Sequence, residues 1–181
     1  MPCQDFVNQK IFAPLEMKHS KAPTVEAKDF DLKNRVYGLQ FLRRRPKWQR
    51  LNDWNFLNGV FGDGGVYTSA RDLVKWDQAL YTERLVSKRM LDQAFTAATL
   101  NDGKKTDYGF GWIVLDRGNQ KAVTHSGAWV GFNTFIQREL SNQTVLIVLS
   151  NSSGKGHEDI LSTSRKAFES WKQPKKPASK N

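Results

Sequence analysis

Between residues 108 and 149 the chain repeats one pattern, a short aromatic or β-branched run followed by a turn. The runs are Tyr108-Gly-Phe-Gly-Trp-Ile-Val-Leu115, Ala122–Gly127, Phe132–Gln137 and Thr144–Leu149. Asp116-Arg-Gly-Asn119 joins the first pair, Gly131 lies between the second and third runs, and Leu140–Gln143 joins the last pair. Strands joined by turns this short read as an antiparallel meander. The final run is nearly all apolar, as a strand covered on both faces would be.

Helical patterns flank this sheet. Ser69 is the expected N-cap of one helix, and Asp72 three residues later resembles a capping box with a shorter acid. Leu73, Val74, Trp76, Ala79 and Leu80 form its apolar face. A second capped helix begins at Ser87 and turns Met90, Leu91, Ala94 and Phe95 inward. After the sheet, Ile160, Leu161, Ser164, Phe168 and Trp171 recur at helical spacing, which predicts a helix over His157–Trp171 that covers the sheet. Pro174 and Pro177 mark a frayed tail. At the other end Phe6, Val7 and Ile11 are helically spaced, and Pro14 stops the run, with Ala13 expected in extended geometry. That run starts almost at the first residue, as an amputated helix would. Lys18 to Arg50 reads as a long irregular connection with a short strand near Val36–Leu42.

Composition narrows the partners. Six Trp and eleven Phe supply large burial units, enough for a core in 181 residues. No run of eighteen apolar residues exists, so no membrane-spanning helix is encoded. Met1 to Asp5 lack the basic-then-apolar pattern of an export signal. The single Cys3 excludes an internal disulfide and lacks the companions of a metal site, and no cofactor is expected. The net charge of +10 is uneven. Seven positive residues and no negative one lie between Lys33 and Arg50 (Lys33, Arg35, Arg43, Arg44, Arg45, Lys47, Arg50), and Lys172, Lys175, Lys176 and Lys180 follow Trp171. Such blocks either bind phosphate polymers and anionic lipid or form a solvated loop and a disordered end. Phe41 and Trp48 make no RNA-binding signature, so a nucleic-acid partner is not expected. Glycines at 59, 62, 64 and 65 precede the Ser69 helix, a place where anions can bind. No Gly-Lys-Ser/Thr follows and the spacing fits no dinucleotide fingerprint, which favours a tight turn.

Chemistry concentrates in Ala122-Val-Thr-His125-Ser126-Gly127-Ala128-Trp129-Val130-Gly131-Phe132. A basic side chain, a hydroxyl and a glycine in succession suit a sheet edge that substrate backbone approaches closely. Taken alone, the triplet reads first as an ordinary strand end with a hydrogen-bonded histidine. His19 and His157 are isolated in sequence and read as surface residues, with no metal spacing to His125.

The order of the segments resembles the carboxy-terminal half of the serine β-lactamase and penicillin-binding-protein-like hydrolases, in particular the class C β-lactamase and esterase branch. Phe6-Val-Asn-Gln-Lys-Ile-Phe-Ala-Pro-Leu-Glu-Met17 is similar to that family's helix ending in Pro-Leu-Gly-Met. Gly64-Gly-Val-Tyr-Thr-Ser-Ala-Arg-Asp-Leu73 resembles another of its segments, and Tyr108-Gly-Phe-Gly-Trp112 the strand before its third active-site motif. His125-Ser126-Gly127 stands where the family carries Lys-Thr-Gly or a histidine variant, and Val145–Asn151 resembles the final strand. The resemblance runs to about Trp171.

The resemblance implies an α+β fold, the carboxy-terminal part of a β-lactamase/transpeptidase-like architecture with helices packed on an antiparallel sheet. Residues 1–103 would be a remnant of the helical region with a long basic connection, 104–172 the sheet and last helix, and 173–181 a disordered basic tail. The family attacks lactam, peptide or ester carbonyls with the serine of Ser-x-x-Lys, aided by that lysine and the tyrosine of Tyr-x-Asn. By position, His125 would replace the motif lysine and Ser126 would supply the hydroxyl. Gly127 would belong to the same motif, and the Ala128 N–H would be one oxyanion donor. A histidine exchanges a permanent charge for a pH-dependent one, which leans towards esterase-like or peptidase-like members. Ser-x-x-Lys and Tyr-x-Asn precede the first helix in the family, so the resemblance implies a fragment inactive alone. Ser152-Ser-Gly-Lys155 spells Ser-x-x-Lys in a loop, and Tyr67-Thr-Ser69 resembles the second motif, but both read as decoys. The family fold pairs its last strand with an amino-terminal one, so Val145–Leu149 is expected to present an edge for self-association or for a complementing chain. Apolar surface on the 69–80 and 87–96 helices would also lose cover. The alternatives are a hydrolase completed by a second chain and a basic protein that binds nucleic acid or an anionic surface.

Overall fold

The computed structural model describes residues 1–23, 35–42, 44, 47–52, 60, 62–118, 120–153 and 155–172. The expected tail at 173–181 lies outside the described residues, as do Lys33, Arg43 and Arg45.

The meander forms as read. Strands β3 (Ile113–Arg117), β4 (Gln120–Trp129), β5 (Phe132–Glu139) and β6 (Thr144–Ser150) make one antiparallel sheet in the order β3-β4-β5-β6. The β4–β5 turn is Val130-Gly131, both at positive φ (37° and 84°), as a tight hairpin with right-handed strand twist requires. A smaller hairpin, β1 (Leu39–Leu42) with β2 (Lys47–Arg50), occupies the basic region. The strand near Val36–Leu42 is thus present, and β2 is an addition that the charged sequence hid.

The first strand is shorter than its sequence suggests. Tyr108–Trp112 is not extended but folds into a tight loop, with the Gly109 N–H donating to the Trp112 carbonyl at 2.7 Å and Gly111 at φ 75°. The alternating glycines serve this loop. A Cβ on Gly109 would lie 2.2 Å from the Ala94 carbonyl oxygen, so only glycine allows that approach.

Helices α2 (Ala70–Ala79) and α3 (Lys88–Ala94) start as the caps predict. The Ser69 hydroxyl accepts from the Asp72 N–H and the Ser87 hydroxyl from the Met90 N–H. Asp72 departs from the capping-box expectation. Its carboxylate accepts from the His19 N–H at 2.7 Å and the Ser20 hydroxyl at 2.9 Å, tying α2 to the amino-terminal region. Burial pushes this carboxyl up, but those hydrogen bonds and Lys75 outweigh it and hold its pKa below the ordinary value. Leu91 and Phe95 of the second helix point inward, whereas Met90 is exposed, as is Val74 on α2.

One face of the sheet is covered by α2 and α3. Leu91, Phe95, Trp112 and Val123 form a core cluster there, joined by Trp76, Leu80, Val114 and Ile136. Trp112 stacks on Trp76 and meets Phe95 edge-on. The other face carries α4 (Lys155–Lys172), whose Arg165 guanidinium sits over Phe135 and whose Lys172 reaches Glu139 at 2.9 Å. Burial works against the Lys172 charge, yet Glu139 and Glu169 hold its pKa above the usual lysine value. β5 runs two residues past Gln137, burying Arg138 and Glu139 on opposite faces. Arg138 pairs with Asp77 of α2 and stands over the rings of Tyr81, Phe95 and Trp112.

The chain's first helix is α1 (Cys3–Val7), continued by a π-helical turn, Asn8–Phe12. Ala13 corrects one expectation: it is right-handed helical (φ −63°, ψ −49°) rather than extended. The helix winds through the residue before Pro14, because burial of Phe12, Leu15 and Met17 against Ala79 outweighs the local preference.

Candidate active-site strand

β4 is the central element of the site. Its partnership with β3 ends at Ile113↔Thr124, while its partnership with β5 continues through His125↔Ile136, Ser126↔Phe135, Gly127↔Thr134 and Ala128↔Asn133. From His125 to Trp129 the strand is therefore paired on one side only among the described residues. Unpaired strand backbone is what an extended substrate can bond to.

Strand alternation sorts the side chains. His125 and Gly127 share the face of Ile136 and Thr134, on the α2–α3 side, whereas Ser126 shares the face of Phe135, on the α4 side. Ser126, Gly127 and Ala128 are exposed and His125 is half-buried. A Cβ on Gly127 would lie 2.8 Å from the Thr134 hydroxyl, so the glycine leaves room for that group at the strand edge.

The imidazole has a partner that the sequence reading did not assign to the site. Tyr108 Oη and His125 Nε2 are 2.9 Å apart, with the rings edge-to-face at a centroid distance of 6.0 Å. The signal was present in the Tyr-Gly-x-Gly-Trp spacing, but a loop had to be told from a strand to use it. Thr134 was missed because its place beside Gly127 depends on the β4–β5 register.

The family model for Beta-lactamase matches residues 1–167. The chain belongs to the β-lactamase family. It is 32% identical over 158 residues to Penicillin-binding protein 4* of Bacillus subtilis (strain 168), covering 83% of this chain and 35% of that protein. The octameric penicillin-binding protein homologue from Pyrococcus abyssi superposes with a TM-score of 0.64 at 26% identity, over 83% of this chain and 34% of that one. D-amino acid amidase from Ochrobactrum anthropi SV3 gives 0.71 at 21% identity, over 95% and 52%, which speaks to the fold alone. The chain thus spans only part of the relatives it matches, in keeping with a resemblance to the carboxy-terminal half of these serine hydrolases.

The residues of the two decoy motifs have local partners. The Ser152 hydroxyl is 3.0 Å from that of Ser150, and the Lys155 side chain lies outside the described residues. Tyr67 exchanges backbone hydrogen bonds with Lys21 and packs its ring on Phe132, while Ser69 caps α2. His19 is exposed, and its backbone N–H is bound to Asp72. The side chain of His157 lies outside the described residues. Among the described residues no three His, Cys, Asp or Glu side chains gather as a metal site, and no helix is long and apolar enough to cross a membrane. Part of the basic region is engaged locally: Arg35 lies over Tyr37 and Tyr67, and Arg50 over Tyr37 at 3.2 Å. The glycine-dense stretch before α2 places Gly62 and Gly65 at positive φ, as the turn reading expects.

Proposed function

We propose that this chain is the carboxy-terminal part of a serine hydrolase acting on amides or esters, in which β4 holds and polarises the carbonyl that a serine outside this sequence attacks. The observation that carries the reading is the one-sided pairing of β4 from His125 onward among the described residues, with the imidazole at that open edge. His125 takes the place of the motif lysine and Ser126 supplies a hydroxyl at the same edge. Gly127 permits close approach, and the Ala128 N–H is one donor to the oxyanion, a contact worth a few kcal/mol in comparable sites. Alone the chain attacks nothing, because its one Ser-x-x-Lys is the Ser152 decoy.

A second reading adds a partner. Among the described residues β6 ends the sheet, and an open groove of about 530 Å³ runs beside it, lined by Leu146, Ala167, Phe168 and Trp171 among others. Such an edge, over Val145–Leu149, accepts a strand from a second chain that carries the nucleophile, or from another copy. That one relative is described as octameric lends weight to self-association. Residues 1–103, 104–172 and 173–181 serve in this proposal as helical remnant, sheet unit and tail.

A serine-reactive fluorophosphonate decides the matter. The purified chain should take no label, and adding the family's amino-terminal region as a separate polypeptide should produce labelling of that polypeptide only. Labelling of this chain alone, lost in Ser152→Ala, would overturn the proposal. Steeply salt-dependent binding to DNA would instead favour the polyanion reading.

A further inference from the structure

We infer that Tyr108 is a positioning residue that holds His125 in the tautomer with its proton on Nδ1, making this histidine a hydrogen-bond donor to substrate even when uncharged. The inference rests on the proposal that substrate lies against β4, and it adds a residue and a proton position to it.

Tyr108 Oη and His125 Nε2 lie 2.9 Å apart, within hydrogen-bond distance. A neutral imidazole has one ring nitrogen that donates and one that accepts. A phenol is a better donor than acceptor, and imidazole nitrogen is a strong acceptor. The favoured pairing therefore runs from the Tyr108 O–H to a bare Nε2, which leaves the proton on Nδ1. The nitrogen not engaged by tyrosine is then the one that carries hydrogen. In water a histidine side chain prefers the opposite tautomer, with hydrogen on Nε2, so Tyr108 reverses the intrinsic choice. When the ring gains a proton the phenol rotates and accepts from Nε2–H, and Nδ1 remains a donor throughout.

Tyr108 can impose this because its own position is over-determined. Its carbonyl accepts from the Ala98 N–H at 2.9 Å and the Thr106 hydroxyl at 3.2 Å, and its N–H donates to that same hydroxyl at 3.2 Å. Gly109 is pressed onto the end of α3 at Ala94, and the Phe110 N–H donates to the Ala94 carbonyl at 3.0 Å. Trp112 anchors the loop in the core between Trp76 and Phe95. The backbone that carries the phenol is thus fixed in folding, before substrate arrives.

The test is long-range ¹H–¹⁵N correlation of the histidine rings in the full chain, at a pH where they are neutral, with His125 assigned by His125→Gln. His125 should show hydrogen on Nδ1, and Tyr108→Phe should return it to the Nε2–H form with the unfolding midpoint little changed. An Nε2–H pattern in the unmodified chain overturns the inference, as does a pattern unaffected by Tyr108→Phe. Should that variant not fold, the unmodified spectrum still decides between the tautomers. The readout needs no substrate, so an Nδ1–H result without any hydrolase activity on complementation would sink the functional proposal and leave only the tautomer assignment standing.

Discussion

Glu16 sits at φ 52°, in the left-handed region where a Cβ is penalised, in the turn that buries Leu15 and Met17. Lys75 donates to the Glu16 carbonyl and Arg84 to that of Pro14, so helix α2 and the loop after it hold the strained turn. The family's glycine at this place has a physical reason. Glu16→Gly should raise stability by about 0.5–1 kcal/mol, relief of strain exceeding the entropy cost, as read from urea midpoints. A loss would mean that the Glu16 side chain contributes more than its backbone costs. Asp77 and Arg138 make the opposite case. Both are buried, so Asp77→Ala leaves a guanidinium without its anion and should cost about 3–5 kcal/mol, whereas replacing both with apolar residues of similar volume should recover most of it. Equal losses in the single and double variants would contradict this account.

At the scale of elements, the Asp72 carboxylate ties α2 to the amino-terminal region, alongside the Lys75–Glu16 contact and the packing of Ala79 on Phe12, Leu15 and Met17. Asp72 has a folded pKa below its ordinary 3.8, so its contribution to stability is complete above that value and is lost as the pH falls from there through the folded pKa. Asp72→Asn should therefore flatten the dependence of the unfolding midpoint on pH below about 4 and lower the midpoint at neutrality. Parallel curves for the two proteins would show that the helix is tied down by something else. Much of this level was legible: the N-caps at Ser69 and Ser87, the meander and the turns are all local patterns. The Tyr108 loop was not. Alternate glycines among aromatic residues satisfy a strand pattern as well as they satisfy a turn. Only the carbonyl of Ala94, brought up by α3, shows that the glycine is needed for contact rather than for extension.

At the scale of the whole molecule, the sheet's last strand was expected to have an apolar edge, and β6 does lie at the end of the strand order. Leu149 is 39% exposed, and Trp171, across the neighbouring groove, is 65% exposed. If that edge recruits a second copy, the weight-average sedimentation coefficient should rise with concentration. Val145→Lys with Leu149→Lys should abolish the rise by placing charges along the edge. A concentration-independent monomer for the unmodified chain would remove self-association from the proposal.

The sequence by itself determined the family, the α+β class, the meander and the position of the His125-Ser126-Gly127 strand. Each of these is written in local spacing, in caps, turns and the order of short segments. Tertiary structure alone decided that β3 stops at Ile113 and leaves β4 open from His125 among the described residues, and that Tyr108 meets its imidazole. It also decided that Arg138 and Glu139, which a hydropathy pattern sends to the surface, are buried against Asp77 and Lys172. The reason is common to all of them. Contacts between residues 17 and 61 positions apart depend on register and on what the packed helices bring close, and neither is a property of any short stretch of chain.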